Sequence, residues 1–406
     1  MALDRRPPPA DRGLPTTDRR LPTADCRLPT ADCRLGLYIH IPFCSAICNY
    51  CNFNRGLFDA LQKARYVQAL LAEIKRAGGA AAGADTIYFG GGTPSLLEPV
   101  EVAAIIAACR EAFDVASDAE VTLEANPESV DESRLAAFRH AGVNRLSFGV
   151  QSFREEELRR LSRLHTVERA TLAVGEARRA GFDNLSLDLM MWLPEQSVDQ
   201  WLRSIDAAIA LRPEHVSLYL LEVYPNAPLR EDMARARWSQ APDDDAAAMY
   251  MGAMERLESA GLEQYEISNV AKPGRRSRHN LKYWTDGEWL GFGCGAHTTR
   301  DGVRSKNVSG TEEYIACIDG GGTPALEIRR MSGDERLGDA LFTGLRLAEG
   351  IDLEAIRDRY GVDVWQRYGA DLADHVDAGL VRREGDRLRL TRQGMLLAHE
   401  VMSVFV

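Results

Sequence analysis

From Leu35 onward the hydrophobic positions switch repeatedly between two periods. LGLYIHIPF (35–43) alternates and is rich in β-formers, which predicts a strand. Residues 58–77 carry apolar positions at helical spacing, and ADTIYFGGGTP (84–94) reads as a strand ending in glycines. The pattern continues with a helix at 99–113, a strand AEVTLEANPE (119–128), a helix at 131–140 and a strand RLSFGVQSF (145–153). Helical stretches at 155–163 and 167–180 follow, then NLSLDLMMWLP (184–194), a helix at 198–210 and HVSLYLLEV (215–223). Six strands alternating with helices predict a parallel sheet with crossover helices, either an open doubly wound sheet or a barrel. In a barrel, chemistry collects at the C-terminal ends of the strands. The unusual residues fall there: cysteines after the first strand, glycines after the second, Glu124 on the third, Gln151 on the fourth and Asp188 on the fifth.

The two ends of the chain break this rhythm. Residues 1–34 repeat every seven residues as DRGLPTT, DRRLPTA and DCRLPTA. A proline in nearly every repeat forbids a continuous helix, and one leucine per repeat is too little for a core, so 1–34 reads as a disordered tail or a misplaced translation start. Residues 35–265 form the barrel unit, and 266–330 a less regular connecting segment that holds HNLKYW. Residues 331–406 predict short helices plus a hairpin turning at Gly385-Asp386, a winged-helix-like α+β module.

Composition narrows the classes. The 406 residues are 45% hydrophobic, enough for one large domain and a smaller one. No run of 18 apolar residues occurs, and the N-terminus lacks a signal-peptide core, so a cytoplasmic protein is expected. A net charge of -11 argues against nucleic acid as a partner, which needs a basic face. The eight cysteines are 26, 33, 44, 48, 51, 109, 294 and 317. A cytosolic chain of this size has no use for a disulfide framework, so a tight cysteine cluster there reads as metal or redox chemistry.

That cluster is CSAICNYC, residues 44–51, with thiols at Cys44, Cys48 and Cys51. A structural zinc site wants four protein ligands and a catalytic one three plus water, and no fourth ligand follows at zinc-like spacing, although His40 lies close in sequence. A [4Fe–4S] cluster takes four thiolates. Three thiolates leave one iron open, and an open iron can hold a ligand.

YIHIPFCSAICNYCNFN resembles the cluster loop of the radical S-adenosylmethionine superfamily. With IYFGGGTPSLL, GVQSF, RLHT, DLMMWLP, YEISNVAKPG and HNLKYW, the chain is similar over about residues 36–403 to the coproporphyrinogen dehydrogenase-like group, and within it to the heme chaperones of the HemW type. The resemblance implies a partial (β/α)6 TIM-like radical SAM barrel with a C-terminal winged-helix-like α+β domain. It implies a [4Fe–4S] cluster on Cys44, Cys48 and Cys51, with S-adenosyl-L-methionine chelating the open iron. Tyr38, Tyr50, Gly91, Gly92, Thr93, Glu124, Gln151, Arg163 and Asp188 match the positions that contact this cofactor in relatives. The chemistry agrees: glycines admit close approach of backbone to ligand, carboxylates accept from hydroxyls or ammonium, and Arg163 suits a carboxylate.

The resemblance further implies that heme is bound through His279 in HNLKYW, an imidazole being a good iron ligand. Tyr283 and Trp284 would supply aromatic walls, and Lys272, Arg275, Arg276 and Arg278 would meet propionates. His297 in GFGCGAHTT and Cys294 are rival ligands. The expected partners are heme and heme-acceptor proteins, respiratory hemoproteins at the membrane among them, and a homodimer is left open. The alternative is a radical SAM oxidoreductase acting on a porphyrinogen. Against it, the dehydrogenase carries a further cysteine just after the third, where this chain reads Asn52-Phe53-Asn54. A winged-helix regulator of transcription is disfavoured by the acidic charge. One position departs from the family: Trp192 stands where relatives have glycine, followed by Glu195 after the proline, and its indole is expected to narrow the cavity.

Overall fold

A computed structural model describes residues 34–78, 83–225 and 227–406. The repetitive stretch 1–33, with Cys26 and Cys33, lies outside the described residues.

Six parallel strands form the heart of the molecule: β1 (Leu35–Ile41), β2 (Gly83–Gly91), β3 (Asp114–Ala125), β4 (Arg145–Gln151), β5 (Leu185–Met191) and β6 (His215–Leu220). The third strand begins earlier than its hydrophobic pattern, at Asp114, because Gly83 and Ala84 pair with its polar start. Crossover helices include α1 (Ala60–Ala77), α2 (Pro99–Ala112), α3 (Glu132–Ala141), α4 (Glu155–Arg160), α5 (Val167–Arg179) and α6 (Val198–Ala210). Their starts are legible in sequence: Asp59 accepts from the Gln62 N–H, and Ser197 forms a capping box with Gln200.

Alternate strand residues decide the layers. Leu37, Ile39, Phe89, Leu123, Phe148, Leu187 and Leu218 are buried in the apolar core under the helices. The intervening positions are polar: Tyr38, His40, Thr86, Tyr88, Glu124, Ser147, Asp188 and Ser217. The inner face of the sheet is therefore a polar surface, unlike the layered branched side chains that fill an ordinary closed barrel.

The segment after β6 extends the sheet at both edges. Beyond α7 (Pro228–Ala236) and α8 (Asp243–Ser259), β7 (Glu263–Glu266) and β8 (Asn269–Ala271) add antiparallel strands beside β6. After α9 (Arg278–Trp284), the strands β9 (Trp289–Phe292), β10 (His297–Arg300), β11 (Val303–Asn307) and β12 (Ala325–Arg330) continue from β1. The order is β12-β11-β10-β9-β1-β2-β3-β4-β5-β6-β8-β7. α10 (Thr311–Asp319) packs on α1. The C-terminal region carries a three-stranded antiparallel sheet of Ile351–Asp352, Val381–Glu384 and Arg387–Leu390 among short helices, with the hairpin turning at Gly385 as the sequence predicts.

Candidate cofactor site

The cluster loop is tied at both ends. Phe43–Cys44 pairs with Gly56–Leu57, and the Phe58 N–H donates to the Cys44 carbonyl at 2.9 Å. Inside the loop the Cys51 N–H donates to the Cys48 carbonyl at 3.2 Å, and the Arg55 guanidinium holds the Cys51 and Phe53 carbonyls. Beneath it, His40 Nε2 donates to the Asn54 carbonyl at 2.8 Å, which makes Nδ1 the acceptor for the Tyr38 hydroxyl at 3.2 Å. Asn54 in turn donates to the Cys294 and Ser309 carbonyls.

The three thiols open into one cavity of about 390 Å³ at the C-terminal ends of the strands. Tyr50, Gly91, Gly92, Thr93, Glu124, Gln151, Arg163 and Asp188 line this same cavity. Tyr38 lies below it within the sheet's inner face, and His279 lies elsewhere. Thr93 Oγ1 donates to Cys44 Sγ at 3.6 Å, and Arg163 donates to Cys48 Sγ at 3.5 Å. Burial pushes the Cys44 and Cys51 thiols up from their ordinary range. Three thiols on the wall of one cavity suit a multi-iron cluster, in which each cysteine takes a different iron.

Three further observations fit a cofactor here. Gly91 adopts φ 119°, and Cβ atoms at Gly91 and Gly92 would meet the His40 ring at 2.6 Å and the Phe43 carbonyl at 2.8 Å, so the wall is bare backbone. The Arg163 Nε is buried with no hydrogen-bond partner among the described residues. The donor set pairs that guanidinium with two deep carboxylates, which suits a zwitterionic amino-acid group with hydroxyls nearby. Glu124 accepts from the Tyr88 hydroxyl at 2.8 Å and the Gly91 N–H at 3.2 Å. Burial outweighs these bonds and, with Asp188 nearby, pushes its carboxyl up to about 7. Burial raises Asp188 too, although Ser147 Oγ donates to its two oxygens at 3.0 and 3.1 Å.

The sequence reading missed Asn126. Its Nδ2 donates to Thr93 Oγ1 at 3.1 Å and its Oδ1 accepts from Arg163 at 2.6 Å, so it joins the glycine strand to the arginine. A polar residue before proline at the end of the third strand was the available signal.

Trp192 corrects an expectation. Its backbone has φ 64°, in the left-handed region that favours glycine. The indole turns away from the cavity and donates to the Ala241 carbonyl at 2.8 Å. Glu195, at φ 60°, accepts from the Ser239 N–H at 2.8 Å in the same clasp. The cavity is not narrowed.

His279 is 1% exposed on α9, against the N-terminal half of β1 and β2. Thr86 Oγ1 lies 2.8 Å from Nδ1 and the Tyr283 hydroxyl 2.9 Å from Nε2, so neither ring nitrogen is free. Burial, with Lys282 adding to it, lowers the imidazole to about 3. The expected propionate partners are also engaged: Lys272 with Glu214, Arg275 with Asp183, Arg276 with Glu349 and Arg278 with Asp85. Cys294 is fully buried.

A cysteine-lined cavity at the carboxyl ends of a partial barrel, walled by glycine backbone, defines a radical SAM protein. The Radical SAM superfamily pattern matches residues 38–208, and the HemN C-terminal domain pattern matches residues 331–397. Within that superfamily the chain belongs to the HemW heme chaperone family. It is 36% identical to heme chaperone HemW of Bacillus subtilis (strain 168), over 91% of this chain and 98% of that protein. It is 38% identical to heme chaperone HemW of Mycobacterium tuberculosis (strain ATCC 25618 / H37Rv), over 90% of this chain and 93% of the other. The solved coproporphyrinogen III oxidase (HemN) of Escherichia coli superposes with a TM-score of 0.81 at 24% identity, over 92% of this chain and 90% of that one. That likeness establishes a shared fold and nothing about the reaction.

Proposed function

We propose that this protein is a heme chaperone: it binds heme and hands it to acceptor hemoproteins. The observation that carries the reading is the identity to the Bacillus subtilis chaperone across 98% of that protein's length. In this reading Cys44, Cys48 and Cys51 hold three irons of a [4Fe–4S] cluster. Gly91, Gly92, Thr93 and Arg163 bind the methionine part of S-adenosylmethionine at the fourth iron. Glu124, Gln151, Asp188 and Tyr50 meet the rest, while Tyr38 acts from below by fixing His40 under the loop. When bound, the pair supplies a one-electron centre beside a cleavable sulfonium. The chain's own part is to hold the loop rigid, neutralise charge with Arg163 and keep Glu124 able to donate a hydrogen bond near neutral pH.

The acceptors in this reading are respiratory hemoproteins at the membrane, met from the cytoplasmic side, with self-association into a homodimer as a further element. No described helix is long and apolar enough to cross a membrane. Heme ligation by His279 requires α9 to leave its seat on the sheet, since both ring nitrogens are taken there.

The test is an anaerobic heme titration of cluster-reconstituted protein followed by visible absorption, then mixing with an apo-hemoprotein. A saturable Soret shift and transfer to the acceptor are expected. Absence of a saturable signal with an intact cluster would sink the reading and direct assays to coproporphyrinogen III.

A further inference from the structure

An iron ligand must offer a free lone pair at an accessible place, and most histidines here do not. The rings of His40, His165, His215 and His279 are hydrogen bonded and buried, and His399 pairs with Glu400. Among the described residues the rings of His140, His297 and His375 make no hydrogen bond. His375 shares its helix with Asp371, Asp374 and Asp377, which repel a dianionic ligand, and His140 stands exposed on the outer helix α3.

His297 is different. It is exposed on β10 in the sheet extension, directly opposite Lys306, which is opposite Leu326 on β12. Residues opposite one another share a face, and rows spaced about 5 Å apart give this trio a span of about 10 Å, comparable with a porphyrin. Thr299, next on the same face, is opposite Trp289 on β9. Trp289 meets Tyr283 of the HNLKYW helix edge-on at 4.7 Å, and Leu326 is 50% exposed. Lys306 makes no ion pair among the described residues, whereas Arg304 is paired with Asp339 and Arg329 with Glu335. Burial first, then the Lys306 and Arg304 charges, lower the His297 imidazole, with Glu327 opposing, which favours the neutral ring and its lone pair.

We propose that heme is taken up on this open face of β9–β12, with His297 as an axial ligand of its iron, Lys306 meeting a propionate, and Leu326 and Trp289 flanking the apolar ring. The inference rests on the heme-chaperone reading and names the site for it. It also gives the HNLKYW motif a place beside the ligand without unfolding α9, through Tyr283 and Trp289. The face adjoins the cluster loop, since Asn54, three residues after Cys51, donates to the carbonyls of Cys294, just before β10, and Ser309, just after β11.

The experiment is an anaerobic heme titration of full-length, cluster-reconstituted protein, comparing wild type with His297→Ala, Lys306→Ala and His279→Ala. Circular dichroism checks the folding of each variant, and resonance Raman reports the iron ligand. His297→Ala is expected to weaken binding by roughly tenfold or more and to lose the imidazole signature, which free imidazole partly restores. Lys306→Ala is expected to weaken binding about threefold with the ligand signature intact. A His297→Ala titration superimposable on wild type overturns the proposal. So does loss of the imidazole signature in folded His279→Ala alone, which returns the ligand to α9 while the chaperone reading stands. If wild type itself shows no saturable binding, the reading and this site fall together.

Discussion

At Gly92 there is no room for a methyl group. A Cβ there would sit 2.8 Å from the Phe43 carbonyl and 3.0 Å from Cys44 Sγ, and backbone cannot yield as a side chain can. Gly92→Ala is therefore expected to displace the first cluster thiol and lower iron content after reconstitution by at least about half; iron analysis checks it. Glu124 carries a pH signature. Its folded carboxyl stands at about 7 against an ordinary 4.5, so the stability it contributes is complete below 4.5 and lost as pH rises toward 7. The effect amounts to about 3 kcal/mol at most. In cluster-free protein the midpoint of urea unfolding is expected to fall over that range, and Glu124→Gln to flatten the slope. The cysteines and glycines were legible in sequence because their types and spacing are rare. The proton on Glu124 was not, because it depends on burial that only the assembled sheet creates.

The element whose surroundings the sequence did not show is α9. HNLKYW reads as a heme-ligand stretch with basic neighbours, and in the fold it seats His279 and Lys282 against Gly36 at the bare start of β1. Lys282 pairs with Asp85 at 2.6 Å, and the His279 ring stacks on Tyr88 at 5.0 Å. His279→Ala leaves the Thr86 and Tyr283 hydroxyls without a partner in a buried hole, and a loss of about 2–4 kcal/mol in urea unfolding is expected. The ordinary imidazole value of 6.5 falls to about 3 in the fold, so this stability is complete above 6.5 and lost as pH falls toward 3. Periodicity found β1–β6 because each strand buries one whole face. It did not find β7–β12, which are too short to show a period, with β12 largely uncovered.

At the scale of the whole molecule, the C-terminal region clamps the far end of α9. Arg346 pairs with Glu266, which is 0% exposed, and lies over the Trp284 ring at 4.4 Å. Arg359 and Tyr360 close on Asp286 just beyond the helix. Arg346→Ala strands a buried carboxylate, and a loss of about 3–5 kcal/mol in equilibrium unfolding is expected. Faster amide exchange over 278–284 should accompany it, since the same guanidinium covers Trp284. Unchanged exchange there would show that the clamp does not reach the motif.

The sequence by itself determined the strand and helix alternation, the cluster thiols and the glycine wall, because hydrophobic period and scarce residue types are properties of local chain. Only the tertiary structure decided that Trp192 turns outward, that Asn126 bridges Thr93 to Arg163, and that His279 is enclosed while His297 stands open. Those outcomes depend on which surfaces meet. An imidazole has the same formula at both positions; packing of α9 against Gly36 and Thr86 buries one, and the uncovered sheet extension leaves the other free.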